Sequence, residues 1–262
     1  MRQPLIDGDI LVYEAGFGAE AGRKEGNHPP PFEWAAQQLD NIISNICAMV
    51  DATEPPIVFL TGKTNFRYAI AKRTPYKERA GNKPFHYKNL IAYIKGKYDY
   101  RITEGLEADD LMAIEQTSRP DETIICSRDK DLRTVAGWTY SWELAEQPSF
   151  GPYFVEEFGY ITYDEEKKKL SGTGLKFFYA QCIMGDPTDS VPGLPRYGPK
   201  KAFDILDATT TPDDAFKAVL EAYKAVFDIA AEVELLEQGR LLWMIRKLHP
   251  DGSPVMWELP IG

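Results

Sequence analysis

Three short, unbroken apolar runs set the frame of this sequence: Pro4–Ile6, Ile57–Leu60 and Thr123–Cys126. Continuous rather than alternating hydrophobicity over so few residues marks strands buried on both faces. Between them lie stretches with helical spacing. Phe32–Val50 carries Trp34, Leu39, Ile42, Ile43, Ile46, Cys47 and Val50 before Pro55-Pro56 stops it. Phe85–Lys97 repeats Leu90, Ile91 and Ile94, and Glu107–Thr117 repeats Leu111, Met112 and Ile114. The first strand is expected to end at Asp7, followed by a turn at Gly8 and a helix through about Phe17. Asp99–Thr103 and Trp138–Trp142 read as further strands, and Phe154–Tyr163 as a hairpin arm. Strands alternating with helices imply an α/β fold with a mostly parallel central sheet flanked by helices. From Leu175 onward the pattern is helical, over 175–184, 199–206, 212–226 and 228–248. The chain thus divides into an α/β domain over 1–172 and a helical region over 173–262.

In an open parallel sheet, ligands bind beyond the carboxyl ends of the strands. The acids fall there. Asp7 and Asp9 close the first strand; Asp129 and Asp131 follow Thr123–Cys126 at a spacing that shares one side of an extended chain. Glu107, Asp109 and Asp110 open a helix, where the dipole favours negative charge. Asp186 and Asp189 follow the helix 175–184. Two such charges ~4 Å apart repel by roughly 4 kcal/mol at an effective dielectric of about 20. Gathering all of them therefore calls for cations or raised pKa values. Taken one pair at a time, solvated surface or helix capping explains each as well. Jointly they suit a pair of divalent metals of the kind that promotes phosphodiester cleavage.

The other candidate ligands are poor. Cys47, Cys126 and Cys182 are widely spaced and odd in number, which argues against a disulfide framework and a zinc knuckle. His28, His86 and His249 are scattered. Oxygen ligands leave magnesium or manganese. The N-terminus lacks a signal-peptide core and no run approaches a membrane span, so a cytoplasmic protein with no membrane partner is expected. A net charge of -10 argues against a polyanion partner, but its distribution does not. From Lys63 to Arg101 the chain carries eleven Lys or Arg and only two acids, Glu78 and Asp99. The stretch Gly185–Lys201 adds two acids, a Gly- and Pro-rich turn around Gly193 and Gly198, and then Lys200 and Lys201 at the start of a helix, a place suited to phosphate. The aromatics among the bases (Phe66, Tyr68, Tyr76, Phe85, Tyr87) are candidates for base stacking or for the core. Trp138, Trp142 and Trp243 read as packing.

Leu5-Ile-Asp-Gly-Asp9, Asn65-Phe-Arg67, Tyr76-Lys-Glu-Arg79, Gly105-Leu-Glu-Ala-Asp-Asp110, Cys126-Ser-Arg-Asp-Lys-Asp-Leu132 and Gly185–Lys201 occur in this order. Together they resemble the 5′-nuclease family: flap endonucleases, the 5′→3′ exonuclease domain of DNA polymerase I and, most of all, compact phage exonucleases. The resemblance implies a PIN-like nuclease domain followed by a helix–three-turn–helix element over about 175–206. It implies a 5′→3′ exodeoxyribonuclease whose range includes flap cleavage and RNase H activity. The partner would be duplex DNA with a 5′ end, nick or flap, or an RNA–DNA hybrid, bound by a monomer. Glu107, Asp109, Asp110 and Asp129, with Asp7, match ligands of one Mg²⁺ or Mn²⁺; Asp131, Asp186 and Asp189 match a second. Gly193, Gly198, Lys200 and Lys201 match the turn that grips duplex phosphates and often holds K⁺. Lys77, Arg67 and Arg79 match residues that contact the scissile phosphate, and Lys63 and Lys83 extend the DNA-binding surface. Three departures stand out. Thr61-Gly62-Lys63 occupies a place where the family commonly has an acid, Tyr76–Arg79 is one residue short of the usual motif, and Arg67–Lys88 is short for a helical arch. The last favours exonuclease action over strict threading of a flap. Two other readings stay open: a haloacid dehalogenase-type phosphatase, for which Asp7-Gly-Asp9 would be the nucleophile–acid pair, and a non-catalytic duplex-binding protein.

Overall fold

A computed structural model of the chain describes residues 2–21, 29–77 and 81–260. Arg79 and His28 therefore lie outside the described residues. In chain order the elements begin with β1 (Gln3–Asp7), α1 (Gly8–Glu20), α2 (Phe32–Met49), β2 (Ile57–Asn65), α3 (Arg67–Ile70) and α4 (Tyr87–Lys97). Next come β3 (Asp99–Gly105), α5 (Ala108–Ser118), β4 (Thr123–Cys126), β5 (Gly137–Ser141) and β6 (Phe150–Val155). The chain ends with β7 (Tyr160–Asp164), β8 (Lys169–Thr173), α6 (Gly174–Met184), α7 (Pro199–Leu206), α8 (Pro212–Phe227) and α9 (Ala231–Leu242). Among the described residues no helix is long and apolar enough to cross a membrane.

The chain forms two compact units, each discontinuous in sequence. One comprises 1–64, 81–129 and 137–154; the other comprises 65–80, 130–136 and 155–262. The single boundary expected between 172 and 173 is thus replaced by several crossings, one of them between Asp129 and Lys130.

The first unit holds a six-stranded sheet in the order β3-β2-β1-β4-β5-β6. β1 runs parallel to β2 and to β4, and β4 parallel to β5, with Ile6 level with both Val58 and Cys126. Alternate strand residues Ile6, Val58, Leu60, Ile124 and Cys126 join Leu11 of α1, Leu39 of α2 and Leu90 of α4 in one buried cluster. Their neighbours Leu5, Phe59 and Ile125 are buried too. Burial on both faces is why these strands read as unbroken apolar runs. The mostly parallel sheet flanked by helices is the fold the sequence implies. Two local details differ. No turn separates β1 from α1, because Asp7 itself caps the helix. A Cβ at Gly8 would stand 2.6 Å from the Phe59 carbonyl oxygen, so this close start of α1 against β2 requires glycine. β2 also continues to Asn65 rather than stopping at Leu60.

In the second unit α6 is the centre, buried along nearly its whole length and packed against α7, α8, α9 and the β7–β8 hairpin. The helix expected over 228–248 is shorter. Asp228 takes a positive φ of 50° that ends α8, and a 3-10 turn over Asp228–Ala230 precedes α9. Trp243 is extended and ends α9. Met244 and Ile245 are buried without being helical, so their apolar character was a packing signal only. Two buried cations close helix ends here. Lys176 Nζ donates to the carbonyls of Asp207 (2.9 Å) and Thr209 (2.8 Å) just past α7, where the helix dipole favours positive charge. Arg67 does the same for α9.

Candidate functional site

In the first unit the acids lie at the carboxyl ends of β1 and β4 and at the start of α5. Asp7 is 2 % exposed. Its Oδ1 accepts from Ile10 N (3.1 Å) as the cap of α1, and its Oδ2 accepts from Ser127 Oγ (2.7 Å). Ser127 Oγ in turn accepts from Asp129 N (2.9 Å). This chain of bonds ties the ends of the two neighbouring strands together. Burial, reinforced by Asp9 and Asp129, raises the Asp7 carboxyl from 3.8 to about 7, against the opposing pull of its two hydrogen bonds. Asp9 accepts from Thr61 N (3.2 and 3.3 Å). Thr61 Oγ1 then accepts from Ala108 N (2.9 Å), which links β2 to the start of α5. There Glu107 and Asp110 form a reciprocal capping box: Asp110 Oδ2 accepts from Glu107 N (3.2 Å), and the Glu107 side chain accepts from Asp110 N. Both are buried, while Asp109 is partly exposed.

Asp129 and Asp131 do not share the side of an extended segment. In the second unit Asp131 begins a 3-10 turn over Asp131–Thr134 and faces α6, where Gln181 Nε2 donates to its Oδ1 (2.5 Å). Lys130 Nζ stands 2.8 Å from the same oxygen and also pairs with Asp186 Oδ2. Burial raises the Asp186 carboxyl, but Lys130 outweighs it and holds the group below the usual carboxylate range. Asp186 and Asp189 sit in a tight loop closed by paired backbone bonds between Asp186 and Val191 (2.8 and 2.9 Å). Asp189 turns to other partners: Tyr76 Oη (2.9 Å) and Lys77 Nζ (3.5 Å). Lys77 is partly exposed and already beside a carboxylate of the candidate set.

Arg67 differs from the phosphate contact that the sequence implies: the residue is 1 % exposed. Nε donates to Leu241 O (2.9 Å) and Nη2 to Trp243 O (2.7 Å), so the guanidinium closes the carbonyl end of α9. Tyr76 is buried, whereas Tyr68 and Phe85 are exposed. The basic stretch 63–101 is not one surface. Its residues divide between the two units, and several are engaged: Lys97 with Asp40 (2.6 Å) and Arg73 with Glu234 (3.1 Å). Lys63 and Lys83 are exposed, with Lys83 Nζ over the Tyr87 ring.

Gly185–Lys201 joins α6 to α7. Gly193 has a φ of 64°, and a Cβ there would meet Gly185 N at 2.3 Å; its own N–H donates to Gln238 Oε1 (2.6 Å). Gly198 differs from the expected turn glycine. It is the extended N-cap of α7, with open space at its Cβ position. Pro199 begins α7, and Lys200 and Lys201 follow in its first turn. Lys200 pairs with Asp204 (2.8 Å) and Glu165 (3.6 Å), and Lys201 Nζ lies 4.3 Å over the Tyr197 ring.

Among the described residues, no three Asp, Glu, His or Cys side chains already surround a point where an ion could sit. Asp7, Asp9, Asp110, Asp131, Asp186 and Asp189 are instead engaged by backbone N–H groups, hydroxyls, the Gln181 amide and lysines. Ser127 and Lys130 fall within a quoted motif and Thr61 within a noted departure, but the part that these three and Gln181 play in holding the carboxylates carries no signal in sequence.

No family model matches the chain. DNA polymerase I of Bacillus subtilis (strain 168) is 26% identical over 268 residues, covering 98% of this chain and 28% of the polymerase. Flap endonuclease Xni of Shewanella halifaxensis is 26% identical over 170 residues, 62% of this chain and 61% of the endonuclease. Among solved structures, T5 5′-exonuclease with bound divalent metal ions (zinc) superposes with a TM-score of 0.56 at 17% identity, covering 93% of this chain and 100% of that one. The chain resembles the 5′-nuclease family in sequence and in fold. It spans under a third of the length of the polymerase relatives it matches, 28% for the Bacillus enzyme.

Proposed function

We propose that the chain is a divalent-metal-dependent nuclease that hydrolyses DNA in the 5′→3′ direction from an end, nick or flap. The observation that carries this reading is the crowding of carboxylates at buried Asp7, with Asp9 and Asp129 beside it at the ends of adjacent parallel strands. An all-oxygen donor set suits Mg²⁺ or Mn²⁺, and a cation would offset the burial that chiefly raises Asp7 to about 7 together with the repulsion from Asp9 and Asp129 that adds to it. The similarity to DNA polymerase I and to a flap endonuclease supports the same reading.

Asp7, Glu107, Asp109, Asp110 and Asp129 would hold one ion, and Asp131, Asp186 and Asp189 another. Bound there, such ions would supply Lewis-acid polarisation of the phosphate and activation of water. The protein's own groups position and neutralise. Ser127 and Thr61 fix the first set of carboxylates relative to the strands. Lys77, braced by Asp189 and Tyr76, offers a cation to phosphate. The first turn of α7 offers backbone N–H groups with Lys200 and Lys201 to a duplex backbone. Incubation with linear duplex DNA tests the reading at its simplest: cleavage in Mg²⁺ and none in EDTA is expected, and cleavage unaffected by EDTA would overturn it.

Metal should also stabilise the protein. Mg²⁺ at about 10 mM is expected to raise the melting temperature by roughly 3–6 °C, from ~1–2 kcal/mol of linkage. The rise should shrink at pH 5.5, where Asp7 retains its proton and competes with the cation. Thermal melts with and without Mg²⁺ at both pH values read this directly, and a flat response at pH 8 would count against the metal reading. For the double variant Lys200→Ala with Lys201→Ala, weaker duplex binding is expected. The slope of log K against log salt should fall by up to about 2, at ~0.9 per lost phosphate contact. An unchanged slope would remove these lysines from the DNA surface.

A further inference from the structure

Lys130 sits where nothing about its own packing requires a charge. It occupies the N-cap of the 3-10 turn and has no capping hydrogen bond from its side chain. Its ammonium instead lies 2.8 Å from Asp131 Oδ1 and bonds Asp186 Oδ2. These carboxylates are 6 % and 3 % exposed. Without a cation, two carboxylates so buried and sharing one partner would repel strongly. Neutral donors also reach them, among them Gln181 Nε2 on Asp131 Oδ1 (2.5 Å) and Thr188 N on Asp186 Oδ1 (2.7 Å). The same Gln181 amide, fully buried, has an Oε1 with no hydrogen-bond partner. An unmet acceptor beside two acids suits a cation or its water shell. Lysine also fits the part better than arginine would. It is a compact point charge on a flexible stem, able to leave, and its side chain is 42% exposed.

We infer that Lys130 is an internal cation for the Asp131–Asp186 pair, standing in the place of a divalent ion and setting the pair's affinity for metal by competition. The inference rests on the reading of Asp131 and Asp186 as metal ligands. Metal binding at this pair requires the ammonium to swing out toward solvent. One positive charge is exchanged for two, and the lysine is released to act elsewhere. Lys130 is thus a positioning residue: it keeps the two carboxylates together when no metal is bound and lowers their metal affinity.

The test is a Mn²⁺ titration of the full chain, followed by calorimetry and by free Mn²⁺ in electron paramagnetic resonance, on wild type, Lys130→Met and Lys130→Arg. In Lys130→Met the weaker class of Mn²⁺ sites is expected to tighten by about tenfold or more, because no cation need be displaced. Without metal this variant should melt lower than wild type, and Mn²⁺ should raise its melting temperature by more. Lys130→Arg keeps the charge but leaves less readily, so it should bind Mn²⁺ no more tightly than wild type. Adding Asp186→Asn to Lys130→Met should cancel the gain. A merely structural lysine would lower the metal-free melting temperature without tightening Mn²⁺. So unchanged or weaker Mn²⁺ binding in Lys130→Met, or in Lys130→Gln should the methionine variant not fold, overturns the inference. Failure of the nuclease reading looks different: wild type would bind no Mn²⁺ and cut no DNA. Wild type that binds and cuts, with no gain in Lys130→Met, defeats the Lys130 inference alone.

Discussion

Asp129→Asn is expected to lower Mg²⁺-dependent cleavage of duplex DNA by about a thousandfold or more, which is ~4 kcal/mol of transition-state stabilisation. Asp129 is one of two carboxylates that raise the buried Asp7. Its backbone N–H holds Ser127 Oγ, and that bond survives the change to Asn. The substitution thus removes a metal-binding charge while leaving the strand-end framework in place. With less negative charge at the site, the metal-free protein should be no less stable, and DNA binding should be kept or tightened. Single-turnover cleavage and a gel-shift titration on the same preparation separate the two effects. Cleavage at the wild-type rate, or loss of DNA binding together with cleavage, would show that Asp129 has another role.

Arg67→Ala is expected to act on stability first. The guanidinium is buried with the carbonyls of Leu241 and Trp243, and α3 packs on α9. Truncation leaves orphan carbonyls at a helix end and a cavity where one of the largest fully buried side chains had been. A loss of about 3–5 kcal/mol follows, or roughly 10 °C in melting temperature. A lysine ammonium could not reproduce the fork of donors, so Arg67→Lys should recover only part of the loss. Urea denaturation measures it. A variant as stable as wild type but unable to cut DNA would return Arg67 to the phosphate.

The contrast between these residues shows what was legible in the sequence. The strands were legible because burial on both faces writes itself as unbroken apolar runs, as in Ile57–Leu60 and Thr123–Cys126. The helix start at Glu107 was legible because acids open it, whereas the start of α1 was not: Gly8 reads as a turn, yet Asp7 caps the helix directly. The role of Arg67 was not legible, because a buried arginine and a phosphate-binding arginine look alike in sequence. Only the distant carbonyls at 241 and 243 tell them apart. The spacing of Asp129 and Asp131 places both on one side of an extended chain, but a 3-10 turn begins between them and sends Asp131 toward Gln181. The second core is assembled from segments far apart in the chain, such as Tyr76, Phe178 and Trp257, so no local pattern marks its boundary. The partners of the carboxylates were illegible for the same reason: Ser127 lies 120 residues from Asp7.

The proposed nuclease joins 5′→3′ polarity to metal dependence. The most direct measurement uses one nicked duplex prepared twice, with label at the 5′ side of the nick or at the 3′ end of the same strand, incubated with and without Mg²⁺. Early release of mono- or short oligonucleotides from the 5′ label, with the 3′ label retained in a shrinking strand and no reaction in EDTA, is the expected result. Release from the 3′ label first, or cleavage indifferent to Mg²⁺, would contradict it.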